Sequence, residues 1–212
     1  SEMCIRDSPN TFQLLEGVFL SSSVRKKENS GKNNTDITMQ EGRDAVLPII
    51  LLGNPREEHL GRVLAALLGC SRLCRSELFC QPGSELLLVD SPRVRRLDAG
   101  GGIVLLKEDF EQVDAPDHLL HAHCILPDGV QAAQQFVQRC GLPGISCGGS
   151  AGMLTLSSTQ EQTGLTLQRK LQRLDGGWIA EGDFSPDLPR QLTAYELLGC
   201  AAVLLLLGRL HP

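Results

Sequence analysis

Aromatic residues are scarce in this chain: 4% of its 212 residues, with one Trp and one Tyr. That composition offers neither a base-stacking platform nor an aromatic-rich interface. A basic excess is missing as well. The formal net charge of −5 gives no footprint for nucleic acid, which shows as a basic stripe. No apolar run reaches the roughly 20 uncharged residues needed to span hydrocarbon. The last one, AYELLGCAAVLLLLGRL, is interrupted by Glu196 and ends at Arg209, so it reads as a buried helix rather than a membrane span. Paired Cys-x-x-Cys units are absent too, although the chain has eight cysteines. Cys4 lies in a segment set aside below, and an odd remainder with no secretory signal argues against a disulfide framework. Cys124 and Cys200 sit beside apolar residues and read as small buried hydrophobes. A reducing cytoplasm is the expected compartment.

The opening string SEMCIRDS has no apolar period and no cap, and resembles the translated read-through of a sequencing adapter. VRKKENSGKNNTDIT, residues 24–38, is rich in Lys, Asn, Glu, Arg and Ser. It reads as a disordered basic arm or as a translated purine-rich leader. The composition changes at Met39, so residues 1–38 are set aside as a non-native leader or disordered arm. Residues 39–212, which is 212 − 38 = 174 residues, are expected to form a single domain.

What is present is apolar strands alternating with helices. AVLPIILLGN and ELLLVDS read as strands buried on both faces, and GGIVLLKEDF and HLLHAHCIL continue the series. PREEHLGRVLAALLGC predicts a helix with Pro55 in its first turn, apolar positions 60, 63, 64, 67 and 68, and an end near Gly69. PDGVQAAQQFVQRCG predicts a second helix ending at Gly141, followed by strands in PGISCG and MLTLSS. Asp175-Gly176 signals a late antiparallel hairpin, although Leu167, Leu171 and Leu174 also fit a helical spacing. The expected fold is α/β, a mostly parallel sheet flanked by helices, with that hairpin and a buried C-terminal helix. In the last helix, 193–209, Leu197, Leu198, Ala201, Val203, Leu204, Leu205 and Leu206 cover nearly the whole circumference. Any part left exposed would favour association, so a homodimer or a protein partner is expected there.

Three stretches carry possible chemistry. The strand-to-helix turn LLGNPREEHL offers Gly53, Asn54, Arg56 and His59 as ligand-binding candidates, since such junctions bind phosphates through free helix N–H groups. It lacks the Lys and the hydroxyl of a P-loop, and Glu57 and Glu58 would repel a triphosphate. DHLLHAHC places His121 and His123 on one strand face, a weak metal pair with no standard zinc spacing. ISCGGSAG spells Gly148-x-Ser150-x-Gly152, the letters of a nucleophile elbow, but it leads into a strand rather than a helix. It reads as a glycine-rich connection.

In order, these pieces resemble the ATP-binding central domain of the Mur ligases. VLPIILLGNPREEHLGRVLAALLGC has that family's strand, P-loop and helix layout, with Asn54-Pro55-Arg56-Glu57 in place of the Gly-Lys-Thr chemistry. HCILPDGVQAAQQFVQRCGLPGISCGGS is similar to its strand, acidic turn, helix and Gly-ending strand, which adds Asp128 and Gly148 as candidates. LTLQRKLQRLDGGWIAEGDFSPDLP and TAYELLGCAAVLLLLGRL are similar to the hairpin and Ala/Leu-rich helix that follow. The resemblance implies a bacterial Mur-ligase-like domain. With the P-loop Lys and Thr and a magnesium-binding Glu missing, ATP, magnesium and ligation are expected to be lost. A binding or interaction module is then the expected function, with no catalytic residue assigned. The alternative is a small α/β enzyme or nucleotide-binding protein working from the turn after the first strand.

Overall fold

The computed structural model describes residues 46–97, 101–112, 116, 118–119, 122–149, 151–158, 163–189 and 191–210. The expectations for residues 1–38, His121 and Ser150 lie outside these residues.

The fold is α/β, built on a ten-stranded mixed sheet. Its centre is β1 (Leu47–Leu52), flanked by β4 (Leu86–Ser91) and β6 (Gly102–Leu106), all parallel. Beyond β4 lie β2 (Ser71–Cys74) and the edge strand β3 (Glu77–Phe79). Beyond β6 come β8 (Ala122–Pro127), β9 (Gly144–Cys147) and β10 (Leu154–Ser158), then antiparallel β11 (Thr163–Leu167) and β14 (Gly182–Phe184). Two small ladders stand apart from this sheet: β5 (Arg96–Leu97) with β7 (His118–Leu119), and β12 (Leu171–Gln172) with β13 (Trp178–Ile179). The last pair is the hairpin signalled by Asp175-Gly176.

The near-continuous apolar character of β1 has a direct cause. Ile49 and Leu51 enter one core, while Ile50 and Leu52 enter the other, because successive strand side chains face opposite sides. Pro48 is tolerated in so central a strand because alternate N–H groups serve alternate neighbours. Leu47 donates to Glu85 on the β4 side, so Pro48 turns its missing donor toward β6, whose ladder with β1 begins at Ile49–Ile103.

Helix α1 (His59–Leu68) and helix α3 (Ala194–Leu206) pack on the first core, and helix α2 (Gln131–Cys140) packs on the second. The predicted stops at Gly69 and Gly141 are both present as left-handed caps. The start of α1 falls later than its sequence suggests. Pro55, Glu57 and Glu58 precede the helix, and Glu58 is the N-cap without a side-chain cap bond.

α3 opens with a capping box. The Thr193 hydroxyl accepts from the Glu196 N–H at 3.2 Å, and the Glu196 carboxylate accepts from the Thr193 N–H at 2.8 Å. Its apolar residues are consumed by the chain itself: Leu198, Ala201, Val203, Leu204, Leu205 and Leu206 are all buried, and Leu197 is half-buried. Of the two orientations open to it, Leu205 faces inward, and this helix exposes no leucine patch. Among the described residues the most exposed large apolar side chains are elsewhere, at Leu78 and Phe79 on β3 and Trp178 on β13, with Val46 and Leu156 less so. Among the described residues no helix is long and apolar enough to cross a membrane. Cys70, Cys74, Cys80, Cys124, Cys140, Cys147 and Cys200 are free thiols. Burial pushes Cys124 and Cys200 up to about 12, the behaviour of inert core cysteines.

Candidate functional site

The C-terminal ends of the parallel strands form one rim. From β1 the chain crosses through α1 to β2 on one side, whereas β6 leads to β8 on the other. This reversal makes the crevice outside β1 and β6 the place where α/β sheets bind ligands.

The turn after β1 occupies that crevice. Gly53 has φ +152°, and a Cβ there would lie 2.6 Å from both Asp109 Oδ1 and Lys107 Cβ. Glycine is required both by the conformation and by the approach of the segment after β6. From Gly53 to Glu57 the turn's amides are engaged within the protein. The Gly53 N–H donates to Ser91 O (3.3 Å), and Glu57 N–H to Asn54 O (3.1 Å). The Asn54 N–H donates to the Asp109 carboxylate at 3.2 and 3.3 Å. The Arg56 N–H donates to Asn54 Oδ1 (3.0 Å), an Asx-turn. Pro55 has no N–H to offer.

The carbonyls of the same turn point at a cation. Lys107, 2% exposed, sends its Nζ into the turn and donates to Asn54 O (3.0 Å), Glu57 O (2.6 Å) and Asp90 Oδ1 (2.9 Å). An ammonium has three donors and no acceptor, so these partners saturate it. Burial pushes the Asp90 carboxyl up, opposed by the hydrogen bond and charge of Lys107 and by the charge of Arg72, and it stays above its ordinary value. The geometry is that of an anion cradle turned inside out, with carbonyls lining the turn and a side-chain cation filling it.

His59, at the start of α1, is drawn to a different partner. Its Nδ1 lies 2.9 Å from Glu196 Oε1 on α3. Burial pushes Glu196 up, but hydrogen bonds from the Thr193 N–H and from His59 bring it below its ordinary value. Tyr195 bonds the Leu106 carbonyl at the end of β6, so α1, α3 and β6 are tied at one rim. Asp128 and Gly148 form a second contact. The Asp128 N–H donates to Cys147 O (2.8 Å), and a Cβ on Gly148 would lie 2.6 Å from Asp128 Cβ. β8 is separated from β1 by β6, so this pair stands roughly 10 Å from the turn at the usual strand spacing.

No protein-family model matches the chain, and no curated protein matches it. Among solved structures it is similar to UDP-N-acetylmuramate:L-alanyl-gamma-D-glutamyl-meso-diaminopimelate ligase from Neisseria meningitides, with a TM-score of 0.44 and 12% identity. The match covers 76% of this chain and 61% of that one, so the chain spans less than two thirds of the ligase's length.

Of the sequence candidates, the structure brings Gly53, Asn54 and Arg56 together in the turn, pairs His59 with Glu196, and joins Asp128 to Gly148. Gly152 leads into β10 as a strand connection. His123 is half-buried, its Nδ1 has no hydrogen-bond partner, and burial lowers its pKa. Among the described residues no three His, Cys, Asp or Glu side chains are grouped to hold a metal. Sequence reasoning missed Lys107, Asp90 and Asp109. The available signal was a charged residue closing an otherwise apolar strand, in ELLLVD and in IVLLK.

Proposed function

We propose that the chain is a Mur-ligase-like α/β domain whose phosphate turn has become a closed structural joint. On this reading it acts as a binding or interaction module rather than an ATP-driven ligase. The order of motifs along the sequence supports the ancestry. One observation carries the loss of nucleotide chemistry: each amide N–H from Gly53 to Glu57 already has a protein acceptor, and the Lys107 ammonium fills the turn. A nucleotide phosphate needs inward-facing N–H groups and a cation free to meet it. Here it would meet carbonyls and the Asp109 carboxylate instead. These residues do not fit a nucleotide phosphate, and three carboxylates at the turn are already engaged: Asp90 with Lys107, Asp109 with Asn54 and Glu58 with Arg62. Titration with ATP and magnesium in a calorimeter is expected to show nothing tighter than millimolar. Micromolar binding would overturn the reading.

A second reading, a small α/β enzyme working from the same rim, is favoured by one contact. Glu196 holds Nδ1 of the half-exposed His59, as a carboxylate orients a general-base imidazole. Any activity found in a substrate screen should then fall on His59→Ala, and an unchanged rate removes this reading.

A further inference from the structure

A second group of charges lies beside the turn, and neither reading uses it. Arg62 of α1, Arg72 of β2 and Arg75 of the β2–β3 turn converge on the Glu58 carboxylate. Arg62 Nη2 and Nε donate to Oε2 at 2.9 and 3.3 Å, Arg75 Nη1 lies 3.3 Å from Oε1, and Arg72 Nη2 lies 3.8 Å from Oε2. The hydrogen bond from Arg62 holds Glu58 below its ordinary value, with the charges of Arg75, Arg62 and Arg72 adding to it.

One carboxylate does not satisfy three guanidiniums. Arg72 is 6% exposed, and its Nε and Nη2 have no hydrogen-bond partner. The carboxylate oxygens nearest Nη2, Glu58 Oε2 at 3.8 Å and Asp90 Oδ2 at 3.7 Å, lie beyond hydrogen-bonding reach. Buried donors are rarely left this way. Asp90 cannot neutralise Arg72 fully, because its other oxygen is bonded to Lys107. The touching groups are thus four cations, Arg62, Arg72, Arg75 and Lys107, against two carboxylates, Glu58 and Asp90. Gly61 places no side chain over the guanidinium, since a Cβ there would stand 3.2 Å from Arg72 Nε.

We propose that Arg62, Arg72 and Arg75 form an oxyanion site for a phosphate group, held in this structure by Glu58 as a tethered stand-in. A phosphate dianion brings a second negative charge and a tetrahedral set of acceptors. It can therefore satisfy Arg62 and Arg75 as Glu58 does and also supply the acceptor that Arg72 lacks. A phosphate that takes over the bonds from Arg62 can displace Glu58 without uncapping α1, because the Glu58 side chain makes no cap bond to the helix. The site adjoins the turn after β1, to which Arg75 Nε is tied through the Pro55 carbonyl at 3.3 Å; its donors are side chains, and its cations are not the one that fills the turn.

The test titrates the full chain with inorganic phosphate at constant ionic strength, as wild type, Glu58→Gln and Glu58→Gln/Arg75→Ala. Removing the competing carboxylate is expected to tighten phosphate binding by about tenfold or more, the equivalent of one charge-assisted hydrogen bond. The Arg75 change should abolish that gain. Unchanged affinity in Glu58→Gln, or a gain that survives Arg75→Ala, overturns the proposal. Should Glu58→Gln fail to fold, the wild-type thermal midpoint decides. A rise in phosphate over chloride that disappears in Arg75→Ala supports the site, and equal midpoints sink it. Glycerol phosphate as a further titrant separates a phosphomonoester ligand, if it also binds, from the free ion.

Discussion

Lys107→Met keeps the stem of the side chain and removes its ammonium. The change leaves Asp90 charged and buried with no cation bonded to it, and takes the donor from the carbonyls of Asn54 and Glu57. Removing one partner of a buried pair costs about 3–5 kcal/mol, and Lys107 at 2% exposure warrants no discount for solvent. Such a loss is a large part of the 5–15 kcal/mol that holds a typical domain together, as an order of magnitude. The loss should also depend on pH. Asp90 is raised in the folded wild type, so its contribution is fully present below the ordinary carboxyl value and is lost as pH rises through the folded value. In the variant both lowering influences of Lys107 disappear and the folded value climbs further. As pH falls from about 7.5 toward 5, the folded variant takes up a proton and recovers part of its deficit. Urea unfolding of both proteins at the two pH values reads this directly, since contributions from distant groups cancel in the difference. A deficit below about 1 kcal/mol at pH 7.5, or an equal deficit at both values, would refute the reasoning. Adding Asp90→Asn to Lys107→Met should return much of the stability, because a neutral pair leaves no stranded charge.

Gly53→Ala places a methyl 2.6 Å from Asp109 Oδ1 and Lys107 Cβ at a φ of +152°, and should cost about 2 kcal/mol or more by denaturant midpoint. Thr193→Ala removes one half of the α3 capping box and should lower stability by about 1 kcal/mol. Glu196 is held below its ordinary value of 4.5; its contribution is present above that value and lost as pH falls through the folded value, so Glu196→Gln should flatten the acid side of the stability profile. Leu205→Glu buries a charge where the side chain is fully enclosed, and should give an unfolded or aggregated chain by circular dichroism rather than a folded monomer.

The elements that sequence reasoning located are those whose apolar pattern carries its own boundaries. β1, β4, β6 and β8 are short, largely buried runs, and α1 and α2 stop at glycines. The β2–β3 hairpin was not legible. Arg72 interrupts the apolar run of β2, and the turn at Arg75 and Ser76, with φ of 49° and 68°, lacks the glycine or asparagine that such a turn favours. β11 was ambiguous for a different reason. Leu167, Leu171 and Leu174 fit a helix locally, but pairing with β10 on one side and β14 on the other imposes a strand. At the site, Gly53 and Asn54 were visible because they punctuate a strand-to-helix turn. Lys107 was not, since the turn it fills lies 50 residues or more away in sequence. His59 was noted without its partner, because Glu196 is 137 residues distant.

The two edges of the ten-stranded sheet, β3 and β14, are each three residues long. In β3 the two-residue turn makes Cys74–Glu77 the hydrogen-bonded pair that closes the hairpin, with Arg72–Phe79 the next such pair. Glu77 and Phe79 therefore spend their backbone groups on β2, and within β3 only Leu78 turns an N–H and a C=O outward. A second chain arriving at this edge finds one residue's worth of ladder, too little to register against, even though Leu78 and Phe79 expose apolar side chains beside it. The brevity of the edge thus protects a large, strongly apolar sheet from growing into its neighbours by strand addition.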